Sequence, residues 1–461
     1  MLQKMIQAGV RNGSYMEASR ELSESAELSI GAKAIERAVR RIGIERAAER
    51  DEATAAFMAL PLPERNNRCP QPKAPTTAVV QFDCGRMLVL DRNRASTPTI
   101  AVVPAGPGEV DPGKAEEDAH RAERLGEAAM VAAAQCSAEA AADQLSSEET
   151  QSTDGESHVD ESRSQHWRDH KVGCLVTMQS AVHAEDPCPE IPANFLEIGR
   201  VTKLVREMGH CTPAASPASS GTAHSEASDE EKPEPKRPGA PVPLVRTILA
   251  SRACSQVFGA MLVAAAWARG FAAAPSKAFV ADGAAMNWTM WAQYFSHYKP
   301  ILDFIHALQY IYAAAMAGRC FGTGWSTYCR WIQAVWAGRV AEVIVELQQR
   351  QWELGEPGKD SPTTDPRKIV SVTLAYLQTH EQRMDYACYR RLGLPIMSCY
   401  AESAVKQINR RVKGTEKFWG EAGAEAILQL RADYLSETEP LSRFWKKRQE
   451  KATGQRYGCA V

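Results

Sequence analysis

The chain has 461 residues, a formal net charge of −2 and 44% hydrophobic residues. That length allows two to four domains, and the near-neutral charge excludes a polybasic nucleic-acid binder as a description of the whole chain. Aromatic content is uneven. Before residue 166 the aromatics are Tyr15, Phe57 and Phe82, whereas nine of the ten tryptophans lie at or after Trp267. Aromatic side chains carry much of the buried area of a core, so the main core is expected in the C-terminal half.

Charge is segregated too. Residues 115–161 hold 13 acids against two arginines, and residues 405–461 hold 12 Lys/Arg against seven acids. This asymmetry suits an acidic loop and a basic binding surface, although a solvated face has the same composition. The 12 cysteines form no C-x-x-C and keep no zinc-finger spacing with histidine. That pattern predicts reduced thiols in a cytoplasmic protein. No apolar signal-peptide core opens the chain. Val257–Ala274 is the best membrane candidate, but Arg269 interrupts it and alanine dominates it, so a buried helix is expected there.

In chain order, residues 1–65 read as a small helical region. Ser29 could cap a helix over Ile30–Ile42, whose Ile35, Val39 and Ile42 keep helical spacing, with Gly43 as its stop. Lys33, Arg37, Arg40 and Arg41 decorate its other faces. A preceding helix near Tyr15–Leu28 gives helix–turn–helix spacing, which also occurs in proteins that never touch DNA. Pro70, Pro72 and Pro75 mark a linker. The first strand region, 77–94, begins TAVVQFDCGRMLVLD and reads as a strand, a polar break at Asp83–Gly85 and a second segment. The low-complexity acidic segment 95–165 lacks aromatics and is expected not to fold, apart from a solvated helix over Glu116–Gln144.

The early strands continue in 166–210, with Lys171–Ser180 as a strand and Ala181–Glu185 returning beside it. A linker rich in Pro, Ser and Glu covers 211–241. In 242–307 a long helix is expected over Leu244–Phe271. A strand follows at Lys277–Val280 and a helix at Ala284–Phe295, then a strand at Pro300–Asp303. Residues 308–395 read as a helical block broken at Gly318, Gly322/Gly324 and Gly355–Pro366. In 396–461 helices run from about Tyr400 to Val412 and over Glu421–Leu435. This order predicts an α/β fold: a mixed sheet interrupted by helices.

Three acids stand out by context. Asp83 sits within the first strand. Asp282 follows a later strand, at the end where α/β sheets place ligands. Glu402 opens a helix whose Ala401, Ala404, Val405, Ile408 and Val412 keep core spacing, while Glu402, Lys406, Asn409/Arg410 and Lys413 make a polar stripe. Three acids converging from separate elements can hold two Mg²⁺ ions, and the basic stripe can meet flanking phosphates. Taken singly, an Asp-Gly is usually a turn, and a Glu near a helix start complements the helix dipole. Asp303 and His306 form D-x-x-H after the fifth strand: a cap and a packed ring, or a positioning group beside a metal. Zinc is not expected, because no thiol or histidine cluster accompanies them.

Three stretches of the chain resemble the ISKra-type insertion-sequence transposases, bacterial DDE enzymes with an RNase H-like core. The first is AELSIGAKAIERAVRRIGIERAAERD with FMALPLPER and AVVQFDCGRM. The second is HWRDHKVGCLVTM with DPCPEIP. The third runs almost continuously from Val245 to Tyr457 and includes SKAFVADGAAMNWTMW, KPILDFIHALQYIYAAAMAGR and MSCYAESAVKQINRRVKGTEKFW. The resemblance implies an RNase H-like sheet with an all-helical insertion, and Asp83, Asp282 and Glu402 as catalytic, metal-binding acids for two Mg²⁺ ions, with Mn²⁺ as a substitute. Asp303 and His306 resemble the C/D-x-x-H of Mutator-like and hAT-like relatives.

The implied activity is cleavage at transposon ends and strand transfer into target DNA, by a homo-oligomer acting on double-stranded DNA at the nucleoid, with no membrane partner. Lys33, Arg37, Arg40, Arg41, Lys406, Arg410, Arg411 and Lys413 would contact DNA. Tryptophans of such a block are more often core; in the family's insertion Trp325, Trp331 and Trp336 would alternatively stabilise a flipped base. The chain departs from the family pattern at Cys84, usually Gly, at Cys399, usually Ser, and in the length of 95–165. Two other readings stay open: a transposase remnant that binds DNA without cutting it, and an RNase H-like nuclease acting on RNA/DNA hybrids.

Overall fold

The computed structural model describes residues 1–66, 74–90, 166–208, 237–414 and 417–453. The acidic segment 95–165, its expected helix Glu116–Gln144, the prolines Pro70 and Pro72, and most of the 211–241 linker lie outside the described residues. Four helices come first: α1 (Leu2–Arg11), α2 (Tyr15–Ala26), α3 (Ala32–Ala59) and α4 (Leu62–Asn66). Strands β1 (Thr77–Leu90) and β2 (Trp167–Gln179), helix α5 (Ile198–Glu207) and strand β3 (Val242–Ser251) follow. Then come α6 (Ser255–Ala268), β4 (Ser276–Ala281), α7 (Ala285–Tyr294) and β5 (Lys299–Leu302). The helical block is α8 (Phe304–Met316), α9 (Phe321–Trp336), α10 (Val340–Leu354), α11 (Pro366–His380) and α12 (Tyr386–Arg391). The chain closes with α13 (Cys399–Val412), β6 (Phe418–Gly420), α14 (Glu421–Leu435) and α15 (Pro440–Thr453).

The fold is mixed α/β, mostly helical, around one six-stranded sheet. Its order is β3-β2-β1-β4-β5, and β6 also pairs with β1. β1, β2 and β3 are antiparallel neighbours, whereas β4, β5 and β6 join in parallel. β1 runs unbroken through Asp83–Gly85, with Asp83 opposite Val172 and Cys84 opposite Lys171. The expected polar break is therefore absent: a 13-residue neighbour, β2, pairs with β1 across that point.

Several other local expectations are corrected. Leu244–Phe271 is not one helix, since Val242–Ser251 is strand β3. Its Val245, Thr247 and Ile248 suit a pleated surface, and β2 offers a free edge to pair with. Ala181–Glu185 forms no strand, because β3 takes that edge. Ser29 does not cap α3, which starts after Gly31 without a side-chain cap. Gly43 does not stop α3 either. It lies mid-helix, where a Cβ would meet the Ala426 carbonyl oxygen of α14 at 2.5 Å, so its small size permits close helix packing. Gly322 and Gly324 likewise sit inside α9. The block begins at Phe304, earlier than residue 308, because Asp303 caps α8.

The N-terminal helices share the main core. Ile6, Val10, Ile35, Val39 and Ile42 belong to the same buried cluster as the sheet. Buried arginines fasten them there. Arg46 of α3 makes a two-pronged pair with Asp433 of α14 (2.8 and 3.1 Å), and Arg431 donates to the Val10 carbonyl at 2.9 Å. Among the described residues no helix is long and apolar enough to cross a membrane. In the best candidate, α6, Arg269 follows the last turn and donates to the Leu175 and Val245 carbonyls.

Candidate active site

Strand register builds the site. β1 pairs with β4 as Gln81 to Val280, and β4 with β5 as Ala281 to Leu302. Extending those parallel registers brings Asp83, Asp282 and Asp303 level on three adjacent strands. β4 leaves β1 after Gln81, and β6 joins only at Leu88. Asp83 therefore lies where one side of β1 has no neighbouring strand, at the carboxyl ends of β4 and β5, where open α/β sheets form crevices.

Gln81 and Asp83, two residues apart, face the same side of the sheet. Gln81 is fully buried, and its carbonyl oxygen accepts from the Tyr400 and Ala401 amides at 3.1 and 3.2 Å while its Nε2 donates to the Met397 carbonyl at 2.9 Å. One side chain thus fixes the first turn of α13, which carries Glu402. Sequence reading passed over Gln81. The available signal was a lone amide within the apolar run AVVQF, two residues before the acid.

The orienting hydrogen bonds of each candidate acid fall on one oxygen. Oδ1 of Asp83 accepts from the Cys84 amide at 2.7 Å. Oδ1 of Asp282 accepts from the Ala284 amide at 2.9 Å and from Asn287 Nδ2. Oε1 of Glu402 accepts from Ser398 Oγ at 3.3 Å. All three acids are half-buried. Burial, followed by the charge of Asp282, pushes Asp83 up to about 7, and Glu402 adds to that repulsion. Burial and then the charge of Asp303 also raise Glu402. The centre gathers more negative charge than its surroundings cancel.

Asp303 differs. It has no exposed surface, and both its oxygens are engaged. Oδ1 accepts from the Ile305 and His306 amides (2.6 and 3.3 Å), and Oδ2 from the Ser398 amide and hydroxyl. Its burial would raise its pKa, but His306 and the Ser398 donors outweigh that and hold it low. His306 Nδ1 lies 3.7 Å from Asp303 Oδ1. Burial works against a charged imidazole, yet Asp303, Asp282 and Glu402 raise it to about 10. Asp303, His306 and Glu402 have ligand atoms within 4.8 Å of one another. Distance alone makes them a metal trio. Hydrogen-bond accounting argues against Asp303 as a ligand, since four donors already use its lone pairs. It orients Ser398 and His306 instead.

The helical block reaches this centre through tyrosines. Tyr376 of α11 stacks on Tyr310 of α8 at 3.8 Å, and a Cβ on Gly283 would meet its ring at 2.2 Å. Its hydroxyl is buried without a hydrogen-bond partner, and burial, followed by the Tyr310 phenol and the Asp282 charge, raises its pKa. The expected role of the tryptophans is corrected. Trp331 and Trp336 are buried, and they donate to Glu346 Oε2 at 2.7 Å and the Cys188 carbonyl at 2.9 Å. Trp325 is half-buried between Phe321 and Tyr328. Bulky apolar rings at helical spacing filled the block's core, and neither Trp331 nor Trp336 is open to a base.

The basic residues divide as well. Lys406, Arg410 and Lys413 are exposed along α13, and Lys33, Arg37, Arg40 and Arg41 along α3. Arg411 is buried. It donates to the Gly9 carbonyl at 3.1 Å and lies 4.5 Å over Tyr15 and 5.1 Å over Trp419. It ties α13 to the N-terminal helices and is unavailable to DNA. The next residue after an exposed arginine on a helix turns by about 100°, here into the core. A scan against protein-family models found no match, and a search among curated proteins found no similar protein.

Proposed function

We propose that the protein is a DNA transposase of the RNase H-like DDE type, with Asp83, Asp282 and Glu402 as the acids that hold the catalytic metals. The observation that carries this reading is the strand register, which brings Asp83 level with Asp282 while Gln81 sets Glu402 on the same face. An antiparallel meander continued by parallel β4 and β5 supports the RNase H-like core. The unbroken β1–β2 ladder beside Cys84 favours an intact centre over a remnant.

The donor set fits hard divalent cations such as Mg²⁺: carboxylates, mutually repelling, with hydrogen bonds concentrated on one oxygen of each. Bound there, two such ions would activate the attacking oxygen and stabilise the leaving one. Asp83, Asp282 and Glu402 would act as ligands and not as proton donors. Asp303 holds Ser398 and lies beside the His306 ring, whose charge it favours. Lys406, Arg410 and Lys413 would contact flanking phosphates along α13. In the first reaction water attacks the phosphodiester at the element's end and frees a 3′-hydroxyl. That hydroxyl then attacks a target phosphodiester in line and displaces the target strand's 3′-oxygen, which leaves as a hydroxyl.

The test is Mg²⁺-dependent nicking of a duplex carrying the element's ends. Asp282→Ala and Glu402→Gln are expected to lower nicking by about 10³-fold or more while binding at the same salt persists. Normal nicking by Asp282→Ala would overturn the assignment. Binding without nicking by the wild type would leave a DNA-binding remnant. Preference for an RNA/DNA hybrid would point to a nuclease instead.

A further inference from the structure

A second concentration of uncancelled charge lies beside the segment that carries Ser398, and its sign is opposite. A cavity of about 560 Å³, its open mouth included, is lined by Arg237, Arg390, Cys188, Cys399 and the apolar walls around Leu394–Met397 and Tyr400.

Arg390 is 7% exposed. Its Nε and Nη2 hold Asp186, and Nη2 also donates to the Trp336 carbonyl at 3.0 Å. Its Nη1 is buried with no hydrogen-bond partner. Arg237 has no carboxylate partner among the described residues. Among the described residues its Nη2 reaches Met397 Sδ, at 3.5 Å. Both guanidiniums lie over Trp336, at 4.1 Å for Arg390 and 6.0 Å for Arg237. Burial works against the charge of Arg237, and the ionisable groups around it are two thiols, a phenol and Arg390. Two guanidiniums thus share one wall with a single carboxylate, Asp186.

A buried guanidinium nitrogen without a partner is costly, and an arginine pair on an aromatic platform matches the planar, multi-oxygen face of a phosphate. We propose that this cavity is an anion site that takes a phosphate group, free or within a nucleic-acid backbone, between Arg237 and Arg390. The proposal does not rest on the nuclease reading. Its floor, Ile396–Met397, leads directly into Ser398, so an occupant would sit behind the segment that holds Asp303.

The experiment titrates the full chain with inorganic phosphate, and separately with a 5′-hydroxyl oligothymidylate, against chloride of equal ionic strength. Calorimetry reads binding. Peptide-resolved iodoacetamide labelling reads Cys399, which lines the cavity and is exposed. Phosphate or oligonucleotide is expected to bind and to slow Cys399 labelling. Arg237→Gln is expected to weaken that binding by about tenfold or more, the worth of one charge-assisted hydrogen bond. Arg237 is chosen because Arg390 also anchors Asp186, so its loss could unfold the region. Binding of inorganic phosphate assigns the site to a free anion, and binding of the oligonucleotide alone assigns it to the DNA backbone. Binding unchanged in Arg237→Gln, or no binding with Cys399 labelling unaffected, overturns the proposal.

Discussion

The α3–α14 seam and the carboxylate centre both bury charge, and they treat it in opposite ways. At the seam Arg46 meets Asp433 through two hydrogen bonds, and Arg50 meets Glu425 and Gln429 at 3.0 and 2.9 Å. Every charge has its counter-charge, and the result is a joint between helices. At the centre three carboxylates face one another, and the cation among them, His306, is already committed to Asp303. A folded chain that leaves like charges together carries a standing electrostatic cost, which a ligand of opposite charge removes. Uncancelled charge, more than burial, therefore separates the candidate site from the joint.

That contrast can be broken experimentally, beginning at the joint. Asp433→Ala leaves Arg46 with Glu49 as its remaining carboxylate and is expected to cost about 3 kcal/mol, the lower end for a broken buried pair, in chemical denaturation. A loss below 1 kcal/mol, on the order of a surface pair, would mean the seam is not a closed joint. The centre is expected to behave in the opposite sense. Asp83, raised to about 7, takes up a proton on folding between its ordinary range and that value. Its contribution is complete below about pH 4 and is lost as pH rises through 7. Cation-free protein should therefore weaken over that window by about 2–4 kcal/mol, an upper range for a half-buried group. Asp83→Asn should flatten the slope and stabilise the cation-free protein at pH 8 while abolishing nicking. An unchanged slope in that variant would remove Asp83 from the repelling cluster.

Ser398 stands between the two kinds of region, because it satisfies buried Asp303 and touches Glu402. Ser398→Ala is expected to cost about 1–3 kcal/mol and to reduce nicking without altering DNA affinity. Equal stability and activity would show that Asp303 needs no help there. The smallest effect concerns the two fates of basic residues on α13. Lys413→Gln should leave stability unchanged and lower the salt slope of DNA binding by about one. Arg411→Gln should do the reverse, lowering stability while the slope stays put. A changed slope for Arg411→Gln would mean that this buried arginine reaches DNA after all.

Much of the site was readable in the chain because it depends on local chemistry. Asp83 interrupts an apolar strand, Asp282 follows one, and Glu402 heads a helix with clean faces. Ala401, Ala404, Val405, Ile408 and Val412 are buried as their spacing predicts. What resisted reading depends on partners distant in sequence. Val242–Ser251 passes for helix until β2 supplies an edge. Gln81 is an ordinary polar residue until α13 arrives 319 positions later. Arg410 and Arg411 are indistinguishable in composition, and only the docking of α1 and α2 decides that one is buried.

The sequence by itself determined which segments are strand or helix where periodicity is strong, and which acids interrupt that periodicity. Those properties follow from the 3.6- and 2-residue repeats of the backbone. Only the tertiary structure decided that Asp83, Asp282 and Asp303 stand level, that Asp303 is saturated while the other acids are half-open, and that Trp331 and Trp336 are core while Trp352 is exposed. Register, hydrogen-bond saturation and burial are relations between distant residues. They are set when the strands pair and the helices close over them.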